Sequence, residues 1–495
     1  MWQLIFTLDF VKSGLQLSVS RLSRGQQLNL VSRYVVFAIQ AKSRKMIPNA
    51  SITTTDLTEQ LERFWRVSAQ KIELINREYD DSQGSPVFTI NGKYTTRGWT
   101  EWTQGFQYGS EILQFDATGD ESFLDMGRRN TVQKMAAHVT HFGVHDHGFN
   151  NVSTYGNLLR LMNEGRIPEN EWERNFYVMA LQASSAVQAK RWTELPKGGY
   201  IYSFNGPHSL FADTIRSLRI LAVGHQLGHA IMGENDKRTS LLQRLVQHAR
   251  TTADYAVFYG EGRDFYDVRG RTAHESIFNL NDGNYRCPNS QQGFSPFTTW
   301  TRGLAWIMAG APEQLEFLQT VDDDELEPLG GREEIEGFLL KMAKATCDFF
   351  IENTATDGIP YWDTGALNTH QLGDNVYQKE SDPFNHSEPV DSSAAAIGAQ
   401  GLLRLGRYLN DPVYTHAGLT VMSTLLGDNY LSLDESHQGL LLHSVYHRPN
   451  GWDHIPEGQS VPCGESCMWG DYHLREAALY VQRLANEEPY YKFYI

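Results

Sequence analysis

The chain has 495 residues, 41% of them hydrophobic, which is ample for a large buried core. Its formal net charge of −16 repels nucleic acid and anionic membrane surfaces, and this argues against both as partners. A small anionic substrate is not excluded: charges beyond a Debye length of about 8 Å are largely screened, so the local cations of a pocket decide.

No apolar run approaches the roughly 18–20 uncharged residues that a membrane span needs. Four cysteines is a low count. Cys287 and Cys347 stand alone, and Cys463 and Cys467 have the spacing C-x3-C. That spacing invites a zinc or disulfide reading, but no second Cys/His pair with zinc-finger spacing follows. A reduced, cytoplasmic setting is the expectation. Sequons at Asn49, Asn151 and Asn385 are too common by chance to argue for secretion. Aromatic residues make up 12%, with 11 Trp and 23 Tyr. They fit a large core or a cleft that stacks sugar rings, and composition does not separate the two.

In chain order, residues 1–45 differ from the rest. Lys12, Arg21, Arg24, Arg33, Lys42, Arg44 and Lys45 face a single acid, Asp9. The apolar start lacks a basic n-region and carries that acid, so it is a poor signal peptide. An Arg/Ser-rich, acid-poor stretch fits a transit peptide or a non-functional extension upstream of Met46, an alternative start; the second reading is favoured, and 1–45 is set apart from the fold as a basic extension, disordered or outside the native start. Asp56 followed by Glu59 reads as a capping box. Behind it Leu57, Leu61, Phe64, Ile72 and Ile75 fall near helical spacing. Further helices are expected over 120–140, 155–164, 169–190, 210–231, 237–258, 301–318, 333–352, 391–408, 412–426 and 471–485. Short strands are expected near Val87–Ile90 and Gly199–Ser203. Three polar turns, at Thr118–Glu121, Gly233–Asp236 and Leu409–Pro412, each place an acid to cap the next helix. They lie about 115 and 176 residues apart, near multiples of about 58, the length of one long helical hairpin with its loop. Six such units fill most of 46–495 with no linker between them. The expected fold is all-α, a single-domain (α/α)6 barrel with long loops.

Four segments look unlike ordinary helix surface. In 99-WTEWTQGF-106, aromatic rings beside polar groups suit a sugar platform or a packed helix start. In 145-HDHGFNN-151, Asp146 lies between two histidines, and Gly148 permits an unusual turn. His-x-His suggests a metal, but no third ligand follows at a recognisable spacing. Asp213 sits in an apolar helical pattern of Leu210, Phe211, Ile215, Leu218 and Leu221. Desolvation there would raise its pKa and suit it to general acid work, unless it points to solvent or pairs with Arg216. From 267 to 306 the chain carries His274, Gln292, Arg302 and Trp306. Arg302 and Trp306, four apart, share a helix face. There the arginine suits a carboxylate and the tryptophan a sugar ring.

Together these segments resemble the unsaturated glucuronyl hydrolases over roughly residues 55–485. The likeness rests on W-T-x-G-F at Trp102–Phe106, H-D-x-G-F at His145–Phe149 and F-A-D-T-I around Asp213. It continues through Q-G-F-S from Gln292, W-x-R-G-x-A-W from Trp300 to Trp306, P-Y-W-D at 360–363, D-S-S-A-A-A-I at 391–397 and G-D-Y at 470–472. The resemblance implies an (α/α)6 barrel that needs no metal or organic cofactor. Its substrates are small acidic oligosaccharides left by polysaccharide lyases, which end in a uronate with a C4=C5 double bond that the enzyme hydrates. By motif, Asp213 would be the general acid and base, and Asp146 the second carboxylate, orienting the substrate and tuning Asp213. His274, Gln292, Arg302 and Trp306 would line the uronate pocket, with Trp102 as a stacking wall and Arg302 and His274 as its donors.

The sequence departs from the family pattern in two places. Pro296, Phe297, Thr298 and Thr299 stand where an acidic pair is common, and His147, Asn150 and Asn151 replace an apolar run. Both are expected to shape the leaving-sugar side. The rival readings keep the barrel but change its use. One is a hydrolase of saturated glucuronides, its aspartates roughly 6.5–9.5 Å apart as an inverting pair, or of unsaturated rhamnogalacturonan fragments. Another is an epimerase using His145, His147 and His274, and the last is a sugar-binding protein. The sequence carries no signal for oligomeric state.

Overall fold

The computed structural model describes residues 4–11, 14–22, 46–98 and 101–494. The basic residues Lys12, Arg24, Arg33, Lys42, Arg44 and Lys45, and Trp99 of the first aromatic motif, lie outside the described residues. The chain divides into two compact units, Met1–Arg44 and Lys45–Ile495. In the first, β1 (Leu4–Val11) and β2 (Gly14–Leu22) pair antiparallel, strands that the sequence did not announce.

The second unit is a closed ring of alternating inner and outer helices. The inner stretches are α2 (Gln104–Thr118), α4 with α5 (His147–Asn151 and Asn157–Asn163), α7 with α8 (Thr214–Ser217 and Arg219–Gln226), α10 (Thr301–Leu318), α12 (Ser392–Leu409) and α14 (Met468–Ala485). The outer helices are α1 (Thr58–Glu78), α3 (Glu121–Lys134), α6 (Glu171–Lys190), α9 (Leu241–Tyr255), α11 (Arg332–Glu352) and α13 (Pro412–Leu425). Each inner stretch packs on the next, and α14 closes the circle on α2. The architecture is the expected α/α toroid.

Local chemistry explains most of the elements. α1 buries Leu61, Phe64, Ile72 and Ile75, the stripe read from the sequence. Asp120 caps α3 by accepting from Ser122 N at 3.0 Å, and Asp411 caps α13 by accepting from Val413 N at 2.9 Å. Pro412 supplies the first helical residue, where no N–H is needed.

Other expectations are corrected. Asp56 does not cap α1; its carboxylate accepts from Thr53 N and Thr53 Oγ1. The turn at Gly233–Asp236 joins β8 (Ala230–Met232) to β9 (Arg238–Ser240) as a hairpin, and Ser240 caps α9 instead. The helix expected over 210–231 starts as a strand, β7 (Ser209–Phe211), and ends near Gln226. α2 bears out the packed helix start at 99–106 as one of the two readings, but its length goes beyond the expected helices: Gln104 to Asp116 are all buried, so no polar face marks a helical period.

The strands are small and serve the loops. β3 (Phe88–Ile90) pairs with β4 (Lys93–Thr95), and β5 (Trp192–Leu195) with β6 (Gly198–Ile201). β7, β10 (Glu275–Phe278) and β11 (Tyr285–Asn289) form a three-stranded sheet in the order β11-β10-β7. The core of the ring is charged as well as apolar. Arg216 pairs with Glu313 at 2.6 Å and Glu476 at 2.9 Å, and Arg219 with Glu476 at 3.0 Å, all of them buried. Arg216 is thereby committed and does not pair with Asp213.

Candidate active site

The inner helices begin around one cavity of about 290 Å³. That volume is at the small end for a ligand site and fits about one sugar ring with part of its neighbour. Asp146, Asp213, Trp102, Gln292, Arg302 and Trp306 line it together, as the sequence reading grouped them. Phe204, Tyr446, His447, Asn450 and Trp452 also line it, and the sequence reading had named none of these.

Asp146 stands before α4 on a loop held by close packing. A Cβ on Gly148 would lie 2.1 Å from Ser217 O, so glycine is required where the start of α4 crosses α7. Ser217 Oγ donates to His145 O and accepts from Gly148 N, both at 3.0 Å. A π-helical turn, Val152–Gly156, then joins α4 to α5. Asp213 stands at the start of α7. β7 fixes the approach to it, with Phe211 opposite Glu275 of β10, and Ala212 N donates to His274 O at 2.9 Å.

The two carboxylates meet at His145. Its Nε2 lies 3.2 Å from Asp213 Oδ1 and 3.7 Å from Asp146 Oδ1. Burial pushes the Asp213 carboxyl up, but the hydrogen bond and charge of His145, aided by Arg302, outweigh it and hold Asp213 below the ordinary range. Asp146 goes the other way. Burial raises it to about 6, His145 opposes the rise, and the charge of Asp213 adds to it. Burial drives the His145 imidazole down, yet the charge of Asp146 and the bond to Asp213 bring it above its usual value. The sequence argument placed the raised carboxyl on Asp213; the structure places it on Asp146, because Asp213 has the closer imidazole.

Arg302 differs from the expected free fork. Its Nη1 donates to Asp391 Oδ2 at 3.1 Å and to Val445 O, and its Nη2 donates to Gln292 Oε1 and Tyr446 O, both at 2.8 Å. Its guanidinium also lies between the Trp300 and Trp469 rings, 4.6 and 4.9 Å from their centroids. Arginine only donates, so Gln292 must turn its oxygen toward Arg302, which leaves the amide NH₂ of Gln292 for the cavity. His274 does not reach the cavity wall. It packs against Phe211 and Trp300, accepts from Gln291 N at 3.0 Å on Nδ1, and is held neutral by burial at about 4. It positions the Gln291–Gln292 turn rather than supplying charge.

Trp102 stacks on Trp469 with centroids 5.0 Å apart, and Trp306 lies 4.7 Å from Phe149. The missed wall is the segment Tyr446–Trp452. Asp453 Oδ2 accepts from His447 N at 3.0 Å, and Asn450 N donates to His447 Nδ1 at 3.3 Å. Its sequence, aromatic residues around a Pro-Asn-Gly turn, carries the same aromatic-and-polar signal as the Trp102 segment.

The departures from the family pattern lie elsewhere. Asn150 Nδ2 donates to Glu101 O, and its Oδ1 accepts from Gly105 N. His147 bonds Ser184 Oγ and His141 O. Thr299 Oγ1 accepts from Thr272 N. These side chains brace the scaffold and are not among the cavity-lining residues. With His147 committed and His274 behind the wall, His145 is the one of the three histidines of the epimerase reading that lines the cavity.

The four cysteines are free, and Cys467 Sγ accepts from Gly470 N at the start of α14. Among the described residues no group of three or more His, Cys, Asp or Glu is placed to hold a metal ion, and no helix is long and apolar enough to cross a membrane.

A ring of inner and outer helices with a buried carboxylate pair in an aromatic cavity defines a glycoside hydrolase of the α/α-toroid type. No family model matches the chain. An unsaturated glucuronyl hydrolase of Formosa agariphila is 25% identical over 395 residues, 78% of this chain and 80% of that protein. Another, from Bacillus sp. strain GL1, is 25% identical over 409 residues, 79% of this chain and 89% of that one. The solved Bacillus sp. GL1 unsaturated glucuronyl hydrolase superposes with a TM-score of 0.63 at 23% identity, covering 87% of this chain and 99% of that one. The chain is therefore similar to unsaturated glucuronyl hydrolases over most of its length, in sequence and in fold.

Proposed function

We propose that the protein removes a 4,5-unsaturated uronic acid from the non-reducing end of lyase-generated acidic oligosaccharides by hydrating the C4=C5 double bond. The observation that carries this reading is the pair of buried aspartates meeting one imidazole in a cavity with aromatic walls. Asp213 protonates C4. Positive charge then develops at C5 and the ring oxygen, water adds at C5, and Asp213 takes up the proton released. The product hemiketal opens and frees the sugar.

Asp146 supports this as the second acid. Two desolvated carboxylates resist ionising together, and a bound uronate adds a third negative charge, so the pair gains proton affinity when substrate enters. The free amide NH₂ of Gln292 suits the substrate carboxylate, and Trp102 and Trp306 suit the ring faces. The catalytic unit is residues 46–495. Its four free thiols fit a reducing, cytoplasmic setting.

The test is incubation with a panel of unsaturated uronyl disaccharides, following the ultraviolet absorbance of the double bond. Absorbance should fall in the parent, and Asp213→Asn should bind substrate but turn over almost none. Unchanged absorbance across the panel, or turnover surviving in Asp213→Asn, would overturn the reading.

A further inference from the structure

The mechanism above leaves unused a buried imidazole that touches both aspartates. His145 is 1% exposed and lies between the two aspartates. Its ring stacks on Phe204 with centroids 5.8 Å apart and meets the edge of Phe211 at 5.7 Å. Its Nδ1 has no protein hydrogen-bond partner, so its hydrogen bonding is directed through Nε2 toward the carboxylates. A histidine kept only for packing has no need of this orientation.

We propose that His145 is a positioning residue of the reaction, sharing its Nε2 proton with Asp213 Oδ1 and storing the proton that Asp213 delivers to the substrate. This rests on the proposed hydration chemistry. Asp213 must be protonated to act as an acid, yet the structure holds it as the more acidic of the pair. An imidazolium in contact removes the conflict, because the pair His145–Asp213 keeps one proton whichever partner carries it.

The cycle balances. The Nε2 proton moves to Asp213, and the Asp213 carboxyl gives a proton to C4. The C4=C5 π pair becomes the C4–H bond and leaves positive charge on C5, shared with the ring oxygen. Water forms the C5–O bond and loses one proton to Asp213, and the imidazole regains its own. The substrate has gained one H and one OH, and the protein ends as it began.

The groups facing His145 agree with a stored proton. Asp146 on its own loop and Asp213 at the head of α7 favour the cation. Arg191 at the end of α6 opposes it, but its Nη2 is turned away to Ser203 O at 2.9 Å. His248 of α9 is held at about 3 and His274 at about 4 by burial, so both are neutral and add no competing cation.

The experiment is the pH dependence of kcat/KM at several temperatures, on the parent and on His145→Gln. An imidazole's ionisation shifts strongly with temperature, and a carboxylate's hardly at all. The alkaline limb of the parent should move with temperature as an imidazole does. In His145→Gln that dependence should vanish, with kcat at neutral pH down by about 30-fold or more. The parent limb alone decides if the variant does not fold. A parent limb with carboxylate behaviour, or an unchanged limb in His145→Gln, would overturn the assignment. Asp213→Asn separates the two claims: a dead Asp213→Asn with a carboxylate-type parent limb sinks only the role of His145, whereas an active Asp213→Asn sinks the mechanism itself.

Discussion

Replacing Arg302 with lysine keeps the charge and removes the fan of donors. The guanidinium satisfies four acceptors on three segments: Asp391, the carbonyls of Val445 and Tyr446, and Gln292. A lysine ammonium carries its three donors on one atom and reaches one side of this fan, which leaves at least two buried acceptors bare. At roughly 1–3 kcal/mol for each unsatisfied group, Arg302→Lys should cost about 2–6 kcal/mol of stability. Losing the planar stack between Trp300 and Trp469 adds to that. The functional effect should follow the same contacts. Gln292 loses the partner that sets its amide, and the wall from Tyr446 to Trp452 loses its anchor, so KM should rise together with the loss of stability. Denaturant unfolding and steady-state kinetics on one unsaturated disaccharide test both. If Arg302→Lys unfolds within about 0.5 kcal/mol of the parent and keeps its KM, the guanidinium is not the pin of this site, and the argument fails.

Asp146→Asn should be more stable than the parent at pH 7 while losing turnover. The folded carboxyl titrates near 6, above its ordinary 3.8. The folded state therefore binds the proton more tightly, and stability falls as pH rises from about 4 to 6 and then stays level. The advantage of the variant should be present above pH 6 and fade below pH 4. An equal melting difference at both ends would remove the buried charge as its cause. Gly148→Ala must displace the Asp146 loop from Ser217, because its Cβ would meet a backbone oxygen at 2.1 Å. A shift of the order of 1 Å at reacting groups lowers kcat about 100-fold, and a parent-like kcat would show that the loop has slack. Trp452→Ala removes a cavity face packed on Tyr446 and His447, with centroids 5.3 and 4.8 Å away. KM should rise roughly 5–30-fold with little change in kcat; an effect on kcat alone would move Trp452 out of ground-state binding.

Where a motif joined chemistry to a helix start, the residues that the sequence groups also share a cavity. Asp146, Asp213, Trp102, Gln292, Arg302 and Trp306 converge on one cavity although they span about 200 residues. What stayed hidden has physical reasons. α2 is buried all round and has no amphipathic period. The approach to Asp213 was read as helix because Leu210 and Phe211 extend the apolar pattern of the residues behind them, whereas pairing with β10 makes them a strand. The fork of Arg302 is not legible in the sequence, because two of its four acceptors are main-chain carbonyls, which no side-chain pattern reports. The roles of His145 and Asp146 depend on which carboxylate stands nearer one nitrogen, and that is a matter of half an ångström.

An acidic protein that takes an anionic substrate needs a local source of attraction, and the ring supplies one besides Arg302. The inner stretches start at the cavity end: α2 follows Trp102, α4 follows Asp146, α7 follows Asp213, α10 carries Arg302 in its first turn, α12 is capped by Asp391, and α14 brings Trp469 against Trp102. Helix N-termini carry partial positive charge, worth roughly 0.3–1 kcal/mol each to a nearby anion and fading within a turn. This field is fixed, buried and short-ranged, so added salt screens it little. The surface charge of −16 acts at long range and repels the same substrate. Of the two, the long-range repulsion is the one that ionic strength weakens. If the local field binds and the surface only repels, then raising salt from roughly 20 to 200 mM should increase kcat/KM by about twofold as the repulsion is screened. A fall in kcat/KM over that range would mean that exposed cations draw the substrate in, and the helix ends would lose their part in recognition.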